Sequence, residues 1–103
     1  MAEGEIPTIF IGKKPFMRYI MAAMAIILNE KPTKIKIVAR GRAISRAVDL
    51  AEVLRTRYLP GVIDVEDIKI STDEIENQET GRVDRVSTIE IVMSLKKQLP
   101  TGQ

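Results

Sequence analysis

The chain of 103 residues has no cysteine, no histidine and no tryptophan, and only two phenylalanines and two tyrosines. Without cysteine there is no disulfide framework and no thiolate chemistry. Without histidine as well, a transition-metal site loses its usual ligands, and a nucleophile of the Ser–His or Cys–His kind loses its base. The expectation is no metal, no cofactor and no enzyme. Long apolar runs are also missing. The longest, Ile20 to Leu28, is too short to cross a bilayer, so no membrane partner is expected. Met1 to Pro7 carries two glutamates and no basic segment, reads as a loose leader, and does not resemble a secretory signal. A cytoplasmic protein is expected.

What is present suits one small domain, residues 1–103, with an ordered core over about residues 8–95. A hydrophobic fraction of 45% against 29% charged residues is too apolar for a disordered chain. The net charge is only +2, but it is unevenly spread. Residues 1–60 hold 11 Lys and Arg against 5 Asp and Glu, whereas residues 61–103 hold 5 against 9. A basic first part suits a polyanionic partner, while the acidic second part limits the total charge.

Hydrophobic periodicity gives the order of elements. Thr8-Ile9-Phe10-Ile11 reads as a short buried strand. Gly12-Lys13-Lys14 is a turn, and Pro15 suits the first position of a helix. Phe16 to Leu28 is that helix. It carries two apolar stripes, the second made of Met17, Met21, Met24 and Leu28, and a single sheet covers only one. The other stripe needs a second cover, either more of the same chain, as in a central core helix, or another chain, as in a dimer interface, and the short chain favours the dimer.

Pro32 closes the helix, and Lys34 to Ala39 is the second strand. The strand–helix–strand spacing predicts parallel pairing. Ala43 to Tyr58 is a second helix with Ile44, Ala47, Val48, Ala51, Leu54 and Tyr58 on one face. Ile63 and Val65 alternate with polar residues, as do Ile68 and Ile70, but the phase slips between the two pairs, which marks a bulge or a late strand start. Ile89, Ile91, Met93 and Leu95 alternate in the last strand. Ser71 to Ser87, with Gly81 as its turn, fits a two-stranded arm, and Lys96 onward is a polar tail. The expected fold is α+β: a β-α-β-α-β-β two-layer sandwich, with a mixed four-stranded sheet, two helices on one face and an extended hairpin arm.

The chemistry lies in two basic turns, Ile11-Gly12-Lys13-Lys14-Pro15 and Ala39-Arg40-Gly41-Arg42-Ala43-Ile44-Ser45. Each follows a strand and opens a helix, where unpaired backbone N–H groups and the dipole favour an anion. Parallel strands bring both turns to one edge, an arrangement that fits a phosphate backbone better than one small anion. Arg18 and Arg46 either extend this patch or pair on the surface. Tyr58 reads as an apolar anchor rather than a base-stacking platform, because no second aromatic accompanies it.

These two motifs, followed by Arg57-Tyr58-Leu59-Pro60, Gly81-Arg82 and Arg85-Val86-Ser87-Thr88-Ile89-Glu90-Ile91, resemble in order and spacing the Alba family of archaeal chromatin proteins. The resemblance covers roughly residues 8–95. It implies a homodimer that binds double-stranded DNA, and often RNA, with little sequence preference, and so a chromosome-associated protein. Lys13, Lys14, Arg40 and Arg42 match the family's binding positions, and Arg82 and Arg85 match basic positions on the arm. Lys13 matches a lysine acetylated in some members. Tyr58 lies where some members use an aromatic residue between dimers along DNA.

The arm departs from this pattern, with Asp73, Glu74, Glu76, Glu79 and Asp84 set to repel phosphate or to pair with Arg82 and Arg85. A smaller footprint, or a heterodimer with a more basic relative, would accommodate that. Sequence alone leaves open an RNA chaperone or ribonucleoprotein subunit, an enzyme acting on a phosphorylated small molecule, and a pure protein-binding module on the first helix.

Overall fold

The computed structural model describes residues 5–96. The N-terminal part of the expected leader and the tail beyond Lys96 lie outside the described residues. The elements are β1 (Thr8–Ile11), α1 (Phe16–Glu30), β2 (Lys34–Arg40), α2 (Ile44–Val53), β3 (Ile63–Glu76) and β4 (Val83–Leu95). The sheet runs in the order β1-β2-β4-β3, with β1 parallel to β2 and the other pairs antiparallel. This is the expected mixed α+β arrangement.

Alternation along each strand builds the core. Ile9 and Ile11 of β1, Ile35, Ile37 and Ala39 of β2, and Ile89, Ile91 and Met93 of β4 are all buried on one side of the sheet. There they meet Tyr19, Ile20, Ala23 and Ile27 of α1 and Ala47, Leu50 and Ala51 of α2. Both helices therefore pack on the same face, and the other face is open. The first strand is the short strand expected, buried at Ile9 and Ile11 but not at Phe10. Phe10 lies between two core isoleucines, and the pleat turns it outward, leaving it 73% exposed.

The phase slip in β3 is a bulge: Val65 pairs with Met93 and Asp67 with Val92, so Glu66 is the extra residue. After the bulge Ile68 and Ile70 lie opposite Ile91 and Ile89, on the helix side, yet they are 55% and 78% exposed, whereas Ile63 at the start of β3 is buried in the core: the described helices cover the beginning of β3 and not this stretch. The second stripe of α1 is also partly uncovered, with Met17, Met21 and Leu28 exposed, while Met24 packs against the core.

The second helix is less uniform than its periodicity suggests. It enters through a 3-10 turn, Gly41–Ala43, and leaves through a π-type turn, Leu54–Tyr58. That exit is closed by the Leu59 N–H donating to the Leu54 carbonyl at 2.8 Å. Beyond the body, β3 and β4 continue as the expected hairpin arm. Asn77 shapes its tip, with Oδ1 accepting from the Glu79 and Thr80 amides, and Gly81 supplies a φ of 74° that closes it. The arm stretches the chain to 60 × 29 × 21 Å and a radius of gyration of 15.4 Å. A fully compact chain of this length would be about 13 Å.

Candidate nucleic-acid interface

The last parallel pair is Ile11 with Ala39, so Gly12, just past the end of β1, lies beside Arg40, the last residue of β2, which is still paired with Thr88 of β4. Register alone brings the two basic turns together, as the strand–helix–strand spacing predicts. Lys13, Lys14 and Arg42 are exposed and form no ion pair among the described residues. Between the turns lies an open depression of about 880 Å³, whose lining includes Phe10, Lys13, Arg40, Arg42 and Arg46.

The turns are braced from behind by Tyr19, which carries no obvious signal in the sequence, and by Arg46, whose expected choice between extending the patch and surface pairing gives way to a bond with backbone. The Tyr19 hydroxyl, on the first turns of α1, accepts from the amides of Gly12 at 2.8 Å and Lys14 at 3.0 Å. The two bonds fix the backbone of the turn ahead of α1, so that Lys13 and Lys14 are presented from a held loop. Arg46 of α2 donates to the Gly12 carbonyl at 2.9 Å and stacks over the Phe16 and Tyr19 rings. It ties the helix after the second turn to the backbone of the first. In the second turn, Gly41 has a φ of 55°, and a Cβ there would lie 3.3 Å from Val86. The left-handed conformation and this close approach both call for glycine.

Arg40 is engaged differently. Its Nε lies 2.9 Å from Asp73 Oδ2, and the same oxygen accepts from the Thr88 hydroxyl at 2.8 Å. An arm carboxylate thus holds one of the four body cations. Of the arm cations, Arg85 is 3.8 Å from Glu74, and Arg82 has no ion pair among the described residues. The arm's acidity is spent partly on the body rather than only on Arg82 and Arg85. Tyr58 is half-exposed on the π-type turn, away from the paired strand ends of β1 and β2. Among the described residues no cluster of acidic side chains is arranged to hold a metal ion, and no helix is long and apolar enough to cross a membrane.

Comparison with known proteins gives a consistent result. The family model Alba matches residues 7–72. The DNA/RNA-binding protein Alba 1 of Archaeoglobus fulgidus is 48% identical over 96 residues, covering 93% of this chain and all of that protein. The DNA/RNA-binding protein Alba of Nanoarchaeum equitans is 47% identical over 91 residues, covering 88% of this chain and all of that protein. Among solved structures, Alba from Thermoplasma volcanium superposes with a TM-score of 0.74 at 40% identity, over 84% of this chain and 98% of that one. ALBA1 from Trypanosoma brucei, at 21% identity and a TM-score of 0.64 over 90% of this chain and 72% of that one, shares the fold.

Proposed function

The chain belongs to the Alba family, and we propose that it binds nucleic acid as a sequence-nonspecific architectural protein of double-stranded DNA, associated with the chromosome. The observation that carries this reading is the exposed set Lys13, Lys14 and Arg42 at one sheet edge, without ion pairs among the described residues, with Arg40 beside it. Side chains of this kind on short turns neutralise phosphates and release counterions, and they position a backbone rather than read base edges. The arm is the lesser contact, since Arg85 faces Glu74 and only Arg82 is unpaired among the described residues. The relatives from Archaeoglobus and Nanoarchaeum are named as DNA/RNA-binding proteins, not enzymes, which also supports RNA as a second ligand.

The same reading includes a homodimer, or a heterodimer with a more basic relative. Ile68 and Ile70 extend the apolar helix-side face of the sheet beyond both helices, an incomplete core that a second copy would finish. Lys13 also stands as the position where acetylation would remove a phosphate contact, and Tyr58 as a contact between neighbouring dimers.

Duplex binding measured against salt tests this. With about 6–10 phosphate contacts per dimer, affinity falls by about 10³–10⁵ between 50 and 200 mM salt. Lys13→Ala/Lys14→Ala should flatten that slope strongly, and Arg82→Ala/Arg85→Ala weakly. Weak, salt-independent binding by the unmodified chain would refute the reading.

A further inference from the structure

Phosphate contacts leave one exposed residue of the depression without a role. Phe10 projects from the open face of β1 beside Val38, its direct partner on β2. Arg40, two residues further along β2, points to the same side of the sheet. Among the large apolar residues described, only Ile70 is more exposed than Phe10. Ile70 extends the core face, whereas Phe10 lies on the opposite face, where none of the described helices packs. Beside the apolar Val38, the depression that holds the ring is also lined by Lys13, Arg40 and Arg42, with Arg46 behind them against Phe16 and Tyr19; the carboxylates of Asp73 and Glu90 on this face are paired with Arg40 and Lys36.

An aromatic plane set among cations on an open sheet face matches one chemistry in particular, a flat base flanked by phosphates. A wholly apolar partner would strand the charges, and a simple anion would leave the ring in water. A duplex presents its phosphates but keeps its base faces stacked on one another.

We propose that Phe10 is a stacking platform for an unpaired base, with Lys13, Arg40 and Arg42 holding the adjoining phosphates, so that the chain has a single-strand binding mode separate from its grip on duplex backbone. This site rests on the nucleic-acid reading above and adds a ligand class to it. Because every base offers a π-face, the site tolerates sequence and accepts unpaired RNA or DNA alike. Arg40 has two states here: paired with Asp73, or turned toward a phosphate beside the stacked base.

The test compares a short non-self-complementary oligonucleotide, as RNA and as DNA, with a duplex of the same sequence. The proteins are the unmodified chain, Phe10→Leu, Phe10→Trp and Lys13→Ala/Arg42→Ala. Leucine keeps an apolar side chain at an exposed strand position, so the fold is retained. Phe10→Leu should weaken single-strand binding about fivefold or more while changing duplex binding by less than about twofold. Phe10→Trp introduces the chain's sole indole, and its emission should be quenched by the single strand and not by the duplex. Lys13→Ala/Arg42→Ala should weaken both ligands. Unchanged single-strand affinity in Phe10→Leu, or an indole that responds equally to both ligands, would overturn the stacking site while duplex binding keeps the wider function intact. Failure of the unmodified chain to bind any nucleic acid would overturn both.

Discussion

Two side chains outside the basic turns govern how those turns behave. Tyr19 satisfies two backbone donors of the first turn. Tyr19→Phe keeps the ring under Arg46 but removes the acceptor, and should cost about 1–2 kcal/mol. At about 4–8 °C per kcal/mol for a domain of this size, thermal unfolding would reveal it, and duplex affinity should fall with the loosened turn. Asp73 acts in the opposite direction. Asp73→Asn keeps an oxygen for the Thr88 hydroxyl but frees Arg40, so duplex affinity at low salt should rise about two- to fivefold, in keeping with the modest strength of exposed ion pairs. A titration in which Asp73→Asn binds more weakly would show that Asp73 positions Arg40 rather than competing for it. Lys13, Lys14 and Arg42 were legible in the sequence because a basic turn between a strand and a helix is a local pattern. Tyr19 was not, because its helical spacing is that of any core residue and its hydroxyl reveals its partner only in three dimensions. The Arg40–Asp73 pair joins residues far apart in the chain, and it depends on the registers of β2, β4 and β3 together.

At the level of elements, the second turn and the arm differ in how much local sequence specifies them. Gly41 marks the sharp exit from β2, and Gly41→Ala should destabilise the protein by about 1–2 kcal/mol through its left-handed backbone alone, with the Val86 contact adding to that. Chemical denaturation, compared with Ala43→Gly as a control in the same turn, would separate this strain from a general effect of altering the loop. The slip between Val65 and Ile68 was readable as an interruption, and register decides that it is a bulge at Glu66 rather than a late start. The 3-10 entry and π-type exit of the second helix were not readable, since the same apolar stripe suits a continuous helix. Periodicity is silent on Phe10, because a strand of four residues, three of them large and apolar, shows no polar alternation. The pleat assigns Phe10 to the face that none of the described helices covers.

For the whole molecule, the decisive question is what covers the β3 side of the core. The sequence directs attention to the methionine stripe of α1, and the structure adds Ile68 and Ile70, whose cross-strand partners are buried. Their exposure is invisible to periodicity, because alternation shows which side a residue faces but not where a neighbouring helix ends. Ile68→Asp/Ile70→Asp should convert a dimer to monomer in sedimentation, whereas Met21→Asp should leave the mass unchanged; the reverse result would move the interface to α1. Shape also carries a prediction about packing density. At about 3.4 Å per base pair, the 60 Å axis spans about 18 base pairs and the 29 Å axis about 9. A chain laid with its arm along the duplex would thus cover about twice the length of one whose arm points across, and the footprint of the dimer reports which holds. In either case random deposition leaves gaps too short for another molecule to enter, wider for the longer footprint, and full coverage waits on slow rearrangement along the lattice.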